Sequence, residues 1–313
     1  MAMRRILPIV LLLTLLTSCD LSDLQFFDIK NVSDDGSSFI ITEKDQAPSS
    51  FTLLLTSDQH FSRADSGVYY EEEVFFEWIQ AYQKNHDVTK AEKHLDRMIT
   101  LGDITENSAT EEFKAFSDYK EKLDKEGITT HAVKGNHDIR PSTNHLADWK
   151  TYVGKSYQAM AHKGVSFYLL NTANRTLGRT QMRELRNAVE KDSRPKIFFS
   201  HIPLYGSPSL VYFVLSDMQE RENMISLMVT NKGMLYLAGH HHQGDVLYSF
   251  RKTTSEFILG TFHGRDSFFE KTKPRWYLLY FDAENASITI TRYQVEENTK
   301  ISQKMVATLP VEL

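Results

Sequence analysis

The chain has one cysteine, Cys19, among 313 residues. An intramolecular disulfide is therefore excluded, and so is a thiolate-rich zinc site. Glycine (14) and proline (8) are too scarce for a fibrous or linker-dominated protein. Basic charge is also short, at 36 Lys and Arg against 41 Asp and Glu, a formal net charge of −5. That balance argues against a nucleic-acid partner, which would call for a basic patch or stripe. Beyond the first twenty residues no apolar run approaches the roughly 20 residues of a membrane-spanning helix. Val211 to Leu215 and Trp276 to Tyr280 are core-sized. What is present is 41% hydrophobic and 25% charged, a globular composition with length for one large domain or two ordinary ones.

The N-terminus has the character of an address. Arg4 and Arg5 precede an apolar run from Ile6 to Leu16, and Thr17-Ser18-Cys19 closes it. Such a segment is a secretory signal, set aside from fold reasoning. Leu16-Thr17-Ser18-Cys19 resembles the lipoprotein signal of bacteria. The resemblance implies cleavage before Cys19 and lipidation of its thiol, and two or three acyl chains anchor stably. Losing the segment ahead of Cys19 removes two arginines and leaves 34 basic against 41 acidic residues, or −7. The expected body hangs from the membrane by its N-terminus, lipid-anchored on the extracytoplasmic side.

Residues 20–50 are polar and turn-rich and are expected to be a tether, with one short strand near Phe39 to Thr42. From Phe51 the pattern alternates. Apolar runs at 51–56, 98–101, 128–133, 165–171, 196–200 and 234–238 predict buried strands. Helical spacing predicts helices over 70–83, 111–125, 180–191 and 221–229. Four further runs, at 246–250, 256–262, 276–282 and 287–293, read as consecutive strands with few helices between them. Alternating strands and helices imply parallel sheet, and the strand-rich end predicts a second, more antiparallel sheet. No linker interrupts 51–313, so one α/β domain is expected.

Five clusters each follow an apolar strand: Ser57-Asp58-Gln59-His60, Gly102-Asp103, Gly135-Asn136-His137-Asp138, Ser200-His201 and Gly239-His240-His241-His242. Sites of α/β sheets lie outside the carboxyl ends of strands. Asp58, His60, Asp103, Asn136, His201, His240 and His242 would bring carboxylates, an amide oxygen and imidazoles to one rim. That donor set suits Mn, Fe, Zn or Co rather than a soft metal. Seven ligands exceed one tetrahedral ion, so two divalent ions are expected, with manganese favoured. In an extended loop His240 and His242 share a side and His241 faces the other way, so His241 is not expected to be a ligand.

The ordered set D-x-H, G-D, G-N-H-D, H, G-H-x-H, here Asp58 to His242, resembles the calcineurin-like metallophosphoesterase superfamily, in its phosphodiesterase-type branch. The resemblance implies a four-layer sandwich of two mixed β-sheets flanked by helices. It implies one metal on Asp58, His60, Asp103 and His242, the other on Asp103, Asn136, His201 and His240, and Asp103 bridging. It makes His137 the general acid, and Glu106 the residue that could orient it. Two divalent ions would lower the pKa of a shared water, and the resulting hydroxide would attack a phosphodiester or phosphomonoester in line. Envelope phosphodiesters, released nucleotides and lipid headgroups are all compatible substrates. The alternative is a lipoprotein that binds phosphorylated ligands through the metal rim without turnover. Arg63 and Arg140 each lie two or three residues past a motif and could contact phosphate, although solvated surface arginines are the preferred reading. Tyr205 and Pro208 to Met218 are read as a substrate rim or dimer contact, with core burial of Val211 to Leu215 an equal explanation.

Overall fold

The computed structural model describes residues 35–62, 70–140, 144–205, 213–264 and 271–313. Cys19, Arg63, and 208–212 of the expected rim lie outside the described residues. Among the described residues the strands form two six-stranded sheets. The first holds β1 (Phe51–Thr56), β2 (Leu95–Thr100), β3 (Thr129–Ala132), β10 (Arg275–Asp282), β11 (Ser287–Val295) and β12 (Ile301–Pro310), in the order β12-β11-β10-β1-β2-β3. The second holds β4 (Gln158–His162), β5 (Val165–Leu169), β6 (Lys196–Phe199), β7 (Gly233–Ala238), β8 (Val246–Arg251) and β9 (Thr254–Ile258), in the order β4-β5-β6-β7-β9-β8.

Both sheets are mixed. β1, β2 and β3 run parallel, and β10, β11 and β12 extend them antiparallel. β5, β6, β7 and β9 run parallel between antiparallel edges β4 and β8. The C-terminal strands therefore do not build an antiparallel sheet of their own, contrary to the expectation. Three of them extend the first sheet, β10 pairing with β1 so that Leu53 lies opposite Leu279, and two finish the second sheet.

The period-2 alternation of strands produces the layers. Leu53 and Leu55 of β1, Ile197 and Phe199 of β6, and Leu235 and Leu237 of β7 point between the sheets into one apolar layer. Leu54 points outward, onto Phe75 and Ile79 of α1 (Tyr70–Asn85) and Phe113 and Phe116 of α2 (Thr110–Lys125). Phe198 and Tyr236 point outward onto Leu185 and Val189 of α3 (Gly178–Lys191) and Met224 and Met228 of α4 (Met218–Thr230). Each buried Leu or Phe contributes about 1.5–3 kcal/mol. The result is a helix–sheet–sheet–helix sandwich. It brings the carboxyl ends of β1, β2 and β3 to the same rim as those of β6 and β7.

Within the expected tether, Asp35 to Phe39 are packed against the body, while Ile40 and residues 42–47 are exposed. Phe39 is buried, its ring 4.9 Å from Tyr157 and 5.9 Å from Tyr168, and Ser38 bridges Gln158. In place of a strand at Phe39 to Thr42 there is that single bridge. One aromatic with a pocket on the second sheet overrides a polar composition. Asp35 fixes the segment further, accepting bonds from Ser156 N at 2.9 Å and Ser156 Oγ at 2.5 Å, and from Ser37 N and Oγ. Burial pushes its pKa up, but these bonds from Ser156 and Ser37 more than offset that and hold it below the usual carboxylate range. A depressed carboxylate pKa stabilises the fold above the unfolded pKa of about 3.9, and the stability is lost as pH falls through the folded value. Asp35→Asn should therefore lower stability by about 1 kcal/mol at pH 7, and the difference from wild type should shrink below about pH 4. Urea midpoints of both proteins across pH 3–7 check this, and equal midpoints at pH 7 would refute it.

Candidate metal centre

The loops that leave the strands are shaped by a backbone few side chains tolerate. Asp58, His60, Asp103 and His240 have φ of 55°, 49°, 49° and 67°, in the left-handed region. Each such residue costs on the order of 1 kcal/mol, and Asp and His accept that conformation more readily than most. Two glycines make room. A Cβ at Gly239 would run into Ser57 Oγ, and one at Gly135 into the backbone N of Asp103. Loop-to-loop bonds complete the frame: Asp58 N donates to Gly102 O at 3.0 Å, His60 N to Asp103 O at 2.9 Å, and Gly239 N to His201 O at 3.0 Å.

Two groups of side chains result. In the first, His242 Nε2 lies 3.4 Å and His60 Nε2 4.0 Å from Asp58 Oδ1, and the two imidazole nitrogens are 3.1 Å apart. In the second, His201 Nε2 lies 3.3 Å from Asp103 Oδ2 and 3.0 Å from Asn136 Oδ1, and the His240 ring stands 5.0 Å from the His201 ring. Asp103, His201 and His240 each offer an atom within 4.8 Å of the others, as do Asp58, His60 and His242, and also His60, Asp103 and His137. All seven residues read as ligands from the sequence thus converge. His241 turns away, and its Nε2 donates to Phe213 O at 3.2 Å. The separation of His241 from its neighbours does not come from an extended loop, because His240 has a positive φ.

The donor chemistry fits divalent cations. His201 Nδ1 donates to Leu101 O at 2.7 Å, which fixes the tautomer and leaves the Nε2 lone pair facing two oxygens. His60 Nδ1 faces Glu106 Oε2 at 2.8 Å, which leaves its Nε2 lone pair toward His242. Asp58 Oδ1 is buried without a hydrogen-bond partner. Lone pairs that converge on one another repel unless a cation lies among them. The charges agree. Burial raises the pKa of Asp103, but His201 beside it more than offsets this and holds it at about 2. Burial likewise raises Asp58, yet the His242 imidazole 3.4 Å away holds it well below the usual range. Burial would neutralise His201, but the Asp103 carboxylate lifts it to about 9, so that without a metal a proton takes the Nε2 lone pair where a cation would stand, while burial and the His201 charge press His240 down to about 3. A buried site with two ionised carboxylates is short of positive charge.

Glu106 requires a correction. Its carboxylate does not orient His137, since Oε1 is 4.0 Å from His137 Nδ1 while Oε2 meets His60. His137 Nδ1 instead lies 2.8 Å from the backbone carbonyl of Glu106 and 3.1 Å from Arg140 Nη2. The reason is the left-handed backbone at His60, which swings that ring toward the loop carrying Glu106. Arg140, read as a solvated arginine, is exposed but reaches His137.

Three supporting residues escape sequence reasoning. Ser57 Oγ donates to Asp58 Oδ2 at 2.5 Å. Asp138, the fourth residue of its block, accepts Gly135 N at 2.8 Å and Thr105 N at 2.9 Å, and so ties the β2 and β3 loops together. Burial, with Asp103 nearby, raises its pKa to about 6. Lys134, 2% exposed, donates to Ser156 Oγ at 2.9 Å and lies 4.7 Å over Trp149, directly beneath Gly135. Only the adjacency of Ser57 and Asp138 to motif residues was a signal for them.

A carboxylate–imidazole centre on the shared rim of two mixed sheets is a site built for divalent cations. The chain belongs to the calcineurin-like phosphoesterase family, whose model matches residues 51–244. No curated protein matches it by sequence. Among solved structures it is similar to the purple acid phosphatase PPD1 of yellow lupin (Lupinus luteus), at a TM-score of 0.55 and 12% identity over 83% of this chain and 54% of that one. The chain thus spans about half the length of the lupin enzyme. It is also similar to GAP50, the anchor in the inner membrane complex of Plasmodium, at a TM-score of 0.54 and 11% identity over 85% of this chain and 90% of that one. These likenesses show a shared fold of two mixed sheets flanked by helices.

Proposed function

We propose that the protein hydrolyses phosphoesters with two divalent ions, manganese favoured, at the extracytoplasmic face of a membrane to which Cys19 anchors it. The observation that carries the catalytic part is the convergence of Asp58, His60 and His242 beside Asp103, Asn136, His201 and His240. Asp103 stands between the groups, since its carboxylate approaches His201 and also lies within 4.8 Å of a His60 ring nitrogen. When bound, the ions would supply charge against the phosphoryl oxygens and a nucleophilic water at neutral pH. The chain's own residues do the rest. His60 and His201 are held in the ligating tautomer by Glu106 and Leu101 O. His137 anchors Nδ1 on the Glu106 carbonyl and is left with Nε2 to carry a proton to the departing oxygen. The anchoring part is supported by Leu16-Thr17-Ser18-Cys19.

The test uses the full chain in membranes of cells expressing it. Supplied with Mn, those membranes should hydrolyse p-nitrophenyl or bis-p-nitrophenyl phosphate above a vector control, and Cys19→Ser should move the activity to the soluble fraction. Two equivalents of bound metal with no turnover would make it a binding protein instead. Activity that stays with the membrane after Cys19→Ser would refute the anchor.

A further inference from the structure

We propose that Phe213 is a specificity residue, the platform for the ester group that remains on phosphorus. The favoured substrate is then a phosphodiester with a planar, apolar retained group. This rests on the phosphoesterase reading above and on His137 as proton donor.

Exposed apolar side chains are common and by themselves say little. Phe213 differs in where it stands and how it is held. It is 49% exposed, yet its ring lies 5.7 Å from the His240 ring and 6.3 Å from that of His241. Its backbone is clamped. His241 Nε2 donates to Phe213 O at 3.2 Å, and Arg175 Nε and Nη2 both reach Val214 O at 3.2 Å. Leu215 N donates to Pro203 O at 3.0 Å, and Val214 and Leu215 are buried. The sandwich core takes those two and leaves the phenyl ring at the mouth of the centre. A role for His241, the middle histidine that ligates nothing, follows: it positions Phe213.

The side of the centre decides which group the ring meets. His137 stands beside His60, ring to ring at 4.8 Å, and clusters with His60 and Asp103, while His60 itself belongs with Asp58 and His242. Phe213 stands beside His240, in the group with Asp103 and His201. The group that departs takes its proton from His137, so it leaves on the His60 side. A group lying on Phe213 stays on phosphorus, and a monoester has no such group. In the reaction the oxygen of water bonds to phosphorus and the P–O bond to the leaving alcohol breaks. That alcohol takes the His137 proton, and the water's surplus proton passes to solvent, from which His137 is recharged. The product is a monoester still seated on Phe213.

The test compares kcat/KM for bis-p-nitrophenyl phosphate and methyl p-nitrophenyl phosphate, with the Mn-loaded full chain. Both release p-nitrophenolate, which needs no proton to depart, and they differ only in the retained group. Wild type should favour the aromatic ester, and Phe213→Ala should cut that preference about five- to tenfold, the worth of one aromatic contact. Its rate on the methyl ester should change by less than about twofold, well inside a single contact's worth. Phe213→Tyr should keep the preference, and Met305→Ala, on β12 and exposed at 64%, should leave it alone. An unchanged preference in Phe213→Ala, equal losses on both esters, or a wild type faster on p-nitrophenyl phosphate than on either diester would overturn the assignment. No turnover of any ester would overturn the phosphoesterase reading and this one with it.

Discussion

Asp103→Asn should bind fewer than two equivalents of metal and lose about three orders of magnitude in turnover, the several kcal/mol that a correctly held metal pair supplies. The substitution keeps shape and removes charge and one ligating oxygen. Asp103 is 1% exposed, and its Oδ1 accepts the His137 backbone N at 2.7 Å, a bond the amide oxygen of Asn can keep. Its Oδ2 faces His201 Nε2 at 3.3 Å. An Asn amide there would donate to the His201 lone pair, so the metal-free fold should survive and melt within a few degrees of wild type in chelator. The lost carboxylate is also what lifts His201 to about 9, so its imidazole should return toward the neutral form. Metal content of the desalted protein, beside its melting curve in chelator, separates loss of the site from loss of the fold. Retention of two equivalents would sink the bridging role of Asp103.

The ligand set was legible because each residue follows an apolar strand at a loop, and strand ends are where α/β sheets gather their chemistry. The directions of the side chains were not. Alternation arguments assume extended backbone, whereas Asp58, His60, Asp103 and His240 all have positive φ. That is why the Glu106 carboxylate reaches His60 rather than His137. The two sheets were legible as layers from continuous apolar runs such as 51–56, but their membership was not. β1 pairs with β10 more than two hundred residues later, and nothing local encodes that choice. β12 escaped notice because its pattern is that of an edge strand, with exposed Gln303, Lys304 and Met305 and a terminal Pro310. The pattern at Phe39 predicts a short strand within a tether, whereas one buried aromatic suffices to seat the segment without a strand.

His137→Ala should separate proton donation from metal chemistry. On an ester with a poor leaving group, such as an alkyl phosphate, the variant should lose about two to four orders of magnitude, the usual contribution of a positioned general acid. On p-nitrophenyl esters, whose leaving group departs without a proton, it should lose far less. The contrast follows from geometry. The His137 side chain is partly exposed and meets the Glu106 carbonyl through Nδ1, so its Nε2 is the atom left for the substrate. Its ring stands 4.8 Å from that of His60, near enough to touch an ester held between the two groups. A merely structural His137 would lower both rates alike, because its backbone N, which bonds Asp103, survives in the alanine variant. Metal content should therefore stay at the wild-type value while the leaving-group dependence steepens. Equal losses on both esters, or full activity on the alkyl ester, would take the general acid away from His137.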